Sequence, residues 1–423
     1  MKYRVIFIAA VALLFAAAFV FLARGGGLTG APRGDEVGFW KASLWFSDGG
    51  VTLEKLRAYP SLNTPVPFIV WGTLERLGLT SGQGLPLGRL LNIVIAFWMV
   101  VLIAVAGRSR DRIAIAAAIG LLLFPYFLIN SVRLYTDIMA AGFVLLGVCA
   151  WTRKWHVSAA IAFAFGIATR QYMLAFPLAI ALHELIQRRR FSVAWIAPAC
   201  AAATIGGWYL LYGGFGPATE IARQKIETTG LLTLRPDHGL YQFAVVGLCF
   251  VLLEMVLMWR PLSLRALRRP GVIAAIVVVL ALFVLYPPIS NVTIYHSHEH
   301  FGLTDRVVRW VLPGPFDVDL PGPSTITIHP RIVLYALLAT LPFIRFPRLG
   351  LPLLMIVFNA LILMKAHIGW DKYALALLAG LWFLSGDGDA DAGMDMHGDG
   401  HGDGDAAADE NVTDTPPSQP GSA

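Results

Sequence analysis

Charge is scarce in this sequence: only 14% of its 423 residues are Asp, Glu, Lys or Arg, 57% are hydrophobic, and the mean hydropathy is +0.66. A soluble domain of this length carries about a quarter charged residues, so a water-soluble fold is excluded and lipid is the solvent for most of the chain. Cysteine is also rare. Cys149, Cys200 and Cys249 all lie in apolar runs, which excludes a disulfide framework or a zinc site and leaves small buried hydrophobes. There is no glycine-rich phosphate cradle and no Ser or Cys nucleophile motif, so ATP-driven work within this chain is excluded. Lys and Arg are missing altogether from the tail, 385–423, which has nine Asp and one Glu; the formal net +6 is therefore −10 on the tail and +16 on the remainder. In a membrane protein that excess reads as topology ahead of nucleic-acid binding.

What is present is a series of apolar runs. A span needs roughly 20 apolar residues, somewhat fewer where flanking residues snorkel. Twelve segments qualify, at about 5–23, 88–106, 113–129, 135–151, 156–169, 172–186, 193–212, 240–259, 271–288, 331–344, 349–364 and 370–384. The first follows Lys2 and Arg4 and is too long for a signal-peptide core, so it reads as a retained span. A thirteenth stretch, Pro65 to Leu79, opens with two prolines and contains Glu75 and Arg76. With twelve spans and a cytoplasmic N-terminus, the short basic clusters all fall inside: Arg108, Arg110 and Arg112, then Arg153 and Lys154, Arg188 to Arg190, Arg260 to Arg269, and Arg345 with Arg348. Counting a thirteenth span would reverse them against the positive-inside rule. Pro65–Leu79 is therefore expected to be an interfacial helix on the outer surface.

The expectation is an all-α polytopic membrane domain over 1–384, with long outer loops at 24–87, 213–239 and 289–330. A low-complexity acidic Asp/Gly/His tail over 385–423 is expected to be disordered and cytoplasmic. Of 17 acids outside the tail, only Asp111, Glu184 and Glu254 fall near the inner face. The polar chemistry thus gathers outside.

Four outer constellations stand out. Arg33-Gly34-Asp35-Glu36 puts two carboxylates just past the first span; they read as a solvated helix start favoured by the dipole or as a general base for a sugar hydroxyl. Asn130 to Asp137 is a tight turn whose last acid lies at span depth, where an acid is functional by default; the plainer reading pairs it with Arg133. Thr169-Arg170-Gln171-Tyr172 interrupts a long apolar stretch, and its guanidinium suits an anionic phosphate. Lys365 to Tyr373 packs His367, Asp371 and Lys372 between aromatics that also serve as interfacial anchors. His296-Ser297-His298-Glu299-His300 reads as a solvated loop, since alternate residues share a face only on a strand and no fourth ligand follows. The tail's His397 and His401 lack a calcium repeat. No metal site is assigned.

These residues, in order, resemble the GT-C superfamily of multi-span glycosyltransferases that use polyprenyl-phosphate sugars. The resemblance rests on Asp35-Glu36, Gly88-Arg89-Leu90-Leu91-Asn92, Phe124-Pro125, Leu134-Tyr135-Thr136-Asp137 and the late turn Trp370-Asp371-Lys372-Tyr373. Within it, residues 30 to 186 are most similar to the alpha-1,2-glucosyltransferases of dolichol-linked oligosaccharide synthesis, departing at Arg170-Gln171-Tyr172 where those continue with Thr-Asn. The resemblance implies an inverting hexosyltransferase at a lumenal or periplasmic face, with a polyprenyl-phosphate sugar donor, a lipid-linked or cell-envelope glycan acceptor, and membrane lipid around it. Asp35 maps onto the family's base, with Glu36 beside it. Arg170, Lys372 and Arg133 would stabilise the leaving phosphate, with Arg306 and Arg309 in reserve, and Asp137, Gln171, Tyr172 and Asp371 would contact substrate. No cofactor is assigned and a divalent cation is left open. Compact loops and outer loops without cysteine favour a bacterial inner membrane, with both termini cytoplasmic. Two other classes fit the composition: a twelve-span secondary transporter, which would place acids near mid-bilayer and show repeat symmetry, and a periplasmic-face glycan polymerase or ligase.

Overall fold

Proline and glycine set where the helices start and stop. In a computed structural model, residues 2–77, 84–189, 191–224, 233–288, 293–294, 297–298, 300–312, 314, 316–319, 325–366 and 368–387 are described. The helices in chain order are α1 (Lys2–Arg24), α2 (Asp35–Ser47), α3 (Leu53–Ala58), α4 (Val66–Arg76), α5 (Gly84–Ala106), α6 (Asp111–Leu122), α7 (Pro125–Ser131), α8 (Thr136–Thr152), α9 (His156–Thr169) and α10 (Ala175–Arg188). They continue with α11 (Val193–Tyr212), α12 (Ala218–Gln224), α13 (Pro236–Val246), α14 (Leu253–Met258), α15 (Pro270–Leu285), α16 (Leu303–Val311), α17 (Pro330–Arg345), α18 (Leu351–Leu363) and α19 (Leu375–Asp387). Pro125, Pro236, Pro270 and Pro330 each open a helix, where the missing N–H costs nothing. Gly213 closes α11 in the left-handed region, at φ +69°, which glycine enters without a Cβ clash.

Every apolar segment read from the sequence is helical, and the architecture is all-α apart from three two-stranded pairings among the described residues. Among the described residues, four helices are long and apolar enough to cross a membrane: Lys2–Arg24, Leu85–Ala106, Val193–Tyr212 and Pro236–Met258. The last of these is continuous because a π-helical stretch, Gly247–Leu252, joins α13 to α14. A Cβ at Gly247 would collide with the Leu338 carbonyl of α17, so glycine permits the close backbone approach there. The pair α6 and α7, bent by 68° at Phe124-Pro125, passes the same test only jointly. Apolar helices of this kind mark a membrane-embedded protein.

Burial separates centre from periphery. All thirteen residues of α19 are buried, and it packs against α6, α8, α5 and α18. Trp382 lies 4.7 Å from the Phe250 ring, seated over Gly120 of α6, where a Cβ would run into the indole. By contrast α1 buries only Val11, and α15 only Val272, Val279 and Phe283. Their apolar remainder faces outward, as a lipid-facing surface does.

Two differences from the sequence reading concern boundaries. The last helix runs on through Asp387, because Ser385 donates to the buried Glu254 and the Asp387 carboxylate accepts the Arg108 backbone N–H at 2.8 Å. The acidic tail thus begins later than 385; residues 388–423 lie outside the described residues, as do His296, Glu299 and His367. Pro65–Leu79, described to Leu77, yields α4, an 11-residue helix. At 1.5 Å per residue it is far too short to cross. Yet it does not merely rest on a surface: Phe68 and Trp71 are fully enclosed, in a cluster with Phe39 and Phe46 of α2 and with Tyr59.

Removing the indole tests the central helix. Trp382→Ala should destabilise the fold by about 3–5 kcal/mol through the cavity it leaves. A thermal-unfolding midpoint in detergent within a degree of the parent's would contradict that placement.

Candidate functional site

The first loop is folded back onto α5 by one arginine. Arg89 donates through Nε and Nη2 to the two carboxylate oxygens of Glu36, at 2.9 and 2.8 Å. Its Nη1 donates to the carbonyls of Gly27, Leu28 and Gly30, at 3.1, 2.8 and 2.9 Å. Glu36 also accepts the backbone N–H of Leu134 at 2.7 Å and that of Arg33 at 3.1 Å. Burial on its own would push this carboxyl up. The Arg89 hydrogen bonds, those from Leu134 and Arg33, and the Arg89 charge outweigh burial and hold it below its ordinary 4.5,. Three residues on from Arg89, the Asn92 side-chain amide donates to the carbonyls of Arg133 and Tyr135, at 2.6 and 2.9 Å. One turn of α5 therefore fixes both the acid pair and the 130–137 turn. Glu36 is spent on this scaffold, which removes it as a candidate base.

Asp35, the first residue of α2, points elsewhere. Its side chain is 43% exposed and its Oδ2 accepts from Lys372 Nζ at 2.6 Å, an ion pair joining the first loop to the last turn. The ammonium is itself buried and sits 3.5 Å from the centre of the Trp370 ring, with Tyr135 at 5.1 Å and Tyr373 at 5.7 Å. Aromatic faces stabilise a cation withdrawn from water. Trp370 and Tyr373 were expected as interfacial anchors; instead they form this cage, with Tyr373 buried.

Asp137 and Arg170 make the second pair. Arg170 Nη2 donates to Asp137 Oδ2 at 2.8 Å, its Nε to Thr136 Oγ1 at 2.7 Å, and its Nη1 to the Tyr172 hydroxyl at 3.2 Å. The Tyr172 hydroxyl donates to Asp137 Oδ1 at 3.2 Å. Both charges are almost wholly buried. The expected pairing of Asp137 with Arg133 does not form, because Tyr135 is extended (φ −108°, ψ 135°) and residues 133 and 137 do not share a helix. Tyr373 links the two pairs: its ring is 5.4 Å from Tyr172 and 5.7 Å from the Arg170 guanidinium carbon.

Asp371 is enclosed. It accepts from the Tyr241 hydroxyl and from Thr304 N and Oγ1, at 2.8 and 3.0 Å for the two Thr304 bonds. Gly302 lies so close that a Cβ would strike the Asp371 carboxyl. His300 and Phe301 pair in parallel with Gly369 and Trp370, so the late turn is tied to the segment before α16. Asp371 holds that turn and is not presented to a substrate. Arg309 pairs with Asp305 at 2.9 Å.

Beside Arg170 opens a cavity of about 230 Å³, lined by Gln171, Tyr172, Tyr373, Asn63 and Lys365 and by apolar side chains that include Leu174, Ile205, Ile362 and Leu363. Gln171 donates to the carbonyls of Leu62 and Phe215, at 2.6 and 3.1 Å, closing one wall. Lys365 lies 5.1 Å from the Phe215 ring centre and donates to the Thr233 carbonyl at 2.9 Å. Asp35, Asp137 and Lys372 join the charge network but do not line this space. The sequence reading missed Arg89, Tyr241 and Thr304 as anchors and Lys365 as a wall of the cavity. Arg89 and Lys365 stood inside the motifs already singled out; Tyr241 and Thr304 carry no local signal. Among the described residues no group of three or more His, Cys, Asp or Glu could hold a metal ion.

Glu36→Gln and Asp137→Asn each leave a buried guanidinium without its counter-charge and should cost about 3–5 kcal/mol. Asp35→Asn, where water reaches the carboxylate but the Lys372 ammonium it pairs with is buried, should cost less than either of these,. A carboxyl whose pKa is depressed on folding stabilises above its unfolded value and loses that contribution as pH falls through the folded one. The parent should therefore lose stability below about pH 4.5, and this acid slope should be shallower in Glu36→Gln. Equal slopes in a pH series of unfolding midpoints would contradict the Glu36 assignment. Comparison with known families, with curated proteins and with solved structures finds no match to this chain, and its function is therefore read from this geometry.

Proposed function

We propose that the protein is an inverting membrane glycosyltransferase of the GT-C type, moving a hexose from a polyprenyl-phosphate donor to a lipid-linked or cell-envelope glycan acceptor. The observation that carries this reading is the convergence of Asp35, Lys372, Asp137 and Arg170, up to 337 positions apart, beside a cavity whose lining combines apolar side chains with the two cations Arg170 and Lys365. A polyprenyl phosphate has that same division between chain and headgroup. In this reading the twelve helical segments are twelve spans. Support comes from the ion pairs and hydrogen bonds, which gather residues 35, 92, 135, 170, 212 and 372 at one end of the bundle and residues 4, 108, 153, 254, 345 and 387 at the other. The first end is the outer, periplasmic face of a bacterial inner membrane, and both termini lie inside.

Asp35 is the base. The acceptor hydroxyl gives its proton to the Asp35 carboxylate while its oxygen bonds to the anomeric carbon and the bond from that carbon to the phosphate oxygen breaks, leaving polyprenyl phosphate. Attack opposite the leaving group inverts the anomeric centre with no covalent enzyme intermediate. Lys372 orients Asp35 through the ion pair. Lys365 and Arg170, which both line the cavity, face the leaving phosphate, where negative charge grows in the transition state. Gln171 and Tyr172 bound the sugar. Charged groups at helix ends, rather than mid-helix, set this reading above a transporter.

With purified protein, a polyprenyl-phosphate hexose and a lipid-linked acceptor, transfer followed by mass should fall at least about 100-fold in Asp35→Asn. Lys365→Ala should lower kcat roughly tenfold with the donor KM little changed. Undiminished transfer by Asp35→Asn would remove the base, and solute counter-flow in liposomes with no transfer would favour the transporter.

A further inference from the structure

At the opposite end of the bundle from Asp35, a second cavity of about 520 Å³ lies between the start of α6 and the end of α14, two of the apolar segments. Its lining combines the basic Arg110 and Arg112 with the apolar Ile113, Leu257 and Met258, and with Trp259. We infer that this cavity is a binding site for an anionic phospholipid headgroup, with the acyl chains lying along α6 and α14. The inference is independent of the glycosyl-transfer reading.

Three features converge on it. Both guanidiniums are exposed, and among the described residues no carboxylate pairs with either. Asp111, which lies between them in sequence, is bound by Arg4 at 2.8 Å. Trp259 is held in the left-handed region (φ 52°) and is 78% exposed. A non-glycine residue rarely adopts that conformation, and its neighbour Arg260 is fixed by a hydrogen bond to the buried Glu254 at 3.3 Å. The backbone thus presents the indole outward at a helix end, where tryptophan rings take the headgroup level of a bilayer. Val256 and Leu264, on either side in sequence, are also largely exposed, continuing an apolar surface for chains. Two arginines over apolar walls match a phosphodiester joined to hydrocarbon better than a free anion. The chain's own residues 388–423 carry eight Asp and one Glu and leave from the same end. Their Asp/Gly composition, with few apolar side chains, could satisfy the arginines but not the apolar wall.

The test uses the full-length protein in a zwitterionic detergent, titrated with phosphatidylglycerol or phosphatidylcholine and read by native mass spectrometry. Phosphatidylglycerol should bind at least tenfold more tightly, and the double variant Arg110→Gln, Arg112→Gln should lose that preference while unfolding at the parent temperature. Brominated phosphatidylglycerol should quench a fluorescence component absent from Trp259→Phe. Equal binding of the two lipids, or full selectivity in the double variant, would overturn the site. Glycerol phosphate competing as well as the intact lipid would show a free-phosphate site instead. Binding that emerges only after deletion of 388–423 would make the acidic tail the occupant and overturn the lipid assignment.

Discussion

A charge placed inside an apolar helical bundle must find its opposite there, because neither lipid nor a packed core will solvate it. The tertiary arrangement follows this demand closely. Glu36 meets Arg89, Asp35 meets Lys372, Asp137 meets Arg170 and Glu254 meets Arg345. Each pair joins elements that hydropathy alone leaves free to slide or rotate past one another. Buried pairs of this kind add little net stability over well-packed apolar residues, but breaking one is costly. Their effect here is to fix register: they decide which helix ends meet and therefore where a site can form.

Much of the fold was legible because its signals are local. Apolar length, Pro125 and Gly213 announce where helices begin, bend and stop, and each of the twelve apolar segments is helical. The packing of α4 was not legible, since Phe68 and Trp71 look the same in sequence whether they meet lipid or the rings of α2 and Tyr59. The site was half legible. Asp35, Asp137, Arg170 and Lys372 stood out as polar residues in apolar surroundings, but which of them pair did not. Arg133, four residues before Asp137, was the natural choice by helical spacing. That rule needs both residues on one helix, and the extended Tyr135 places Arg133 outside it. The partner that forms, Arg170, belongs to another segment, and nothing local marks the two as a pair.

The motifs behind the family resemblance divide differently from what motif reading alone would give. Arg89 and Asn92 hold the Glu36 loop and the Tyr135 turn in place. Asp371 likewise is consumed by Tyr241 and Thr304. Residues of this sort constrain geometry, and the chemistry falls to the fewer groups that keep an open side.

The adjacent carboxylates show how one local feature produces both kinds. Successive residues of a helix point about 100° apart, so with Glu36 turned inward to Arg89, Asp35 is turned to Lys372 and to water. Only Asp35 can exchange a proton with a ligand without dismantling the scaffold. On the glycosyl-transfer reading this has an electrostatic consequence. Once Asp35 takes the acceptor's proton, the buried Lys372 loses its counter-charge at the moment the leaving phosphate gains one. A cation that is neutralised in the resting site and uncompensated after proton transfer favours the product anion over the starting diester, and that difference, unlike uniform binding, accelerates a reaction.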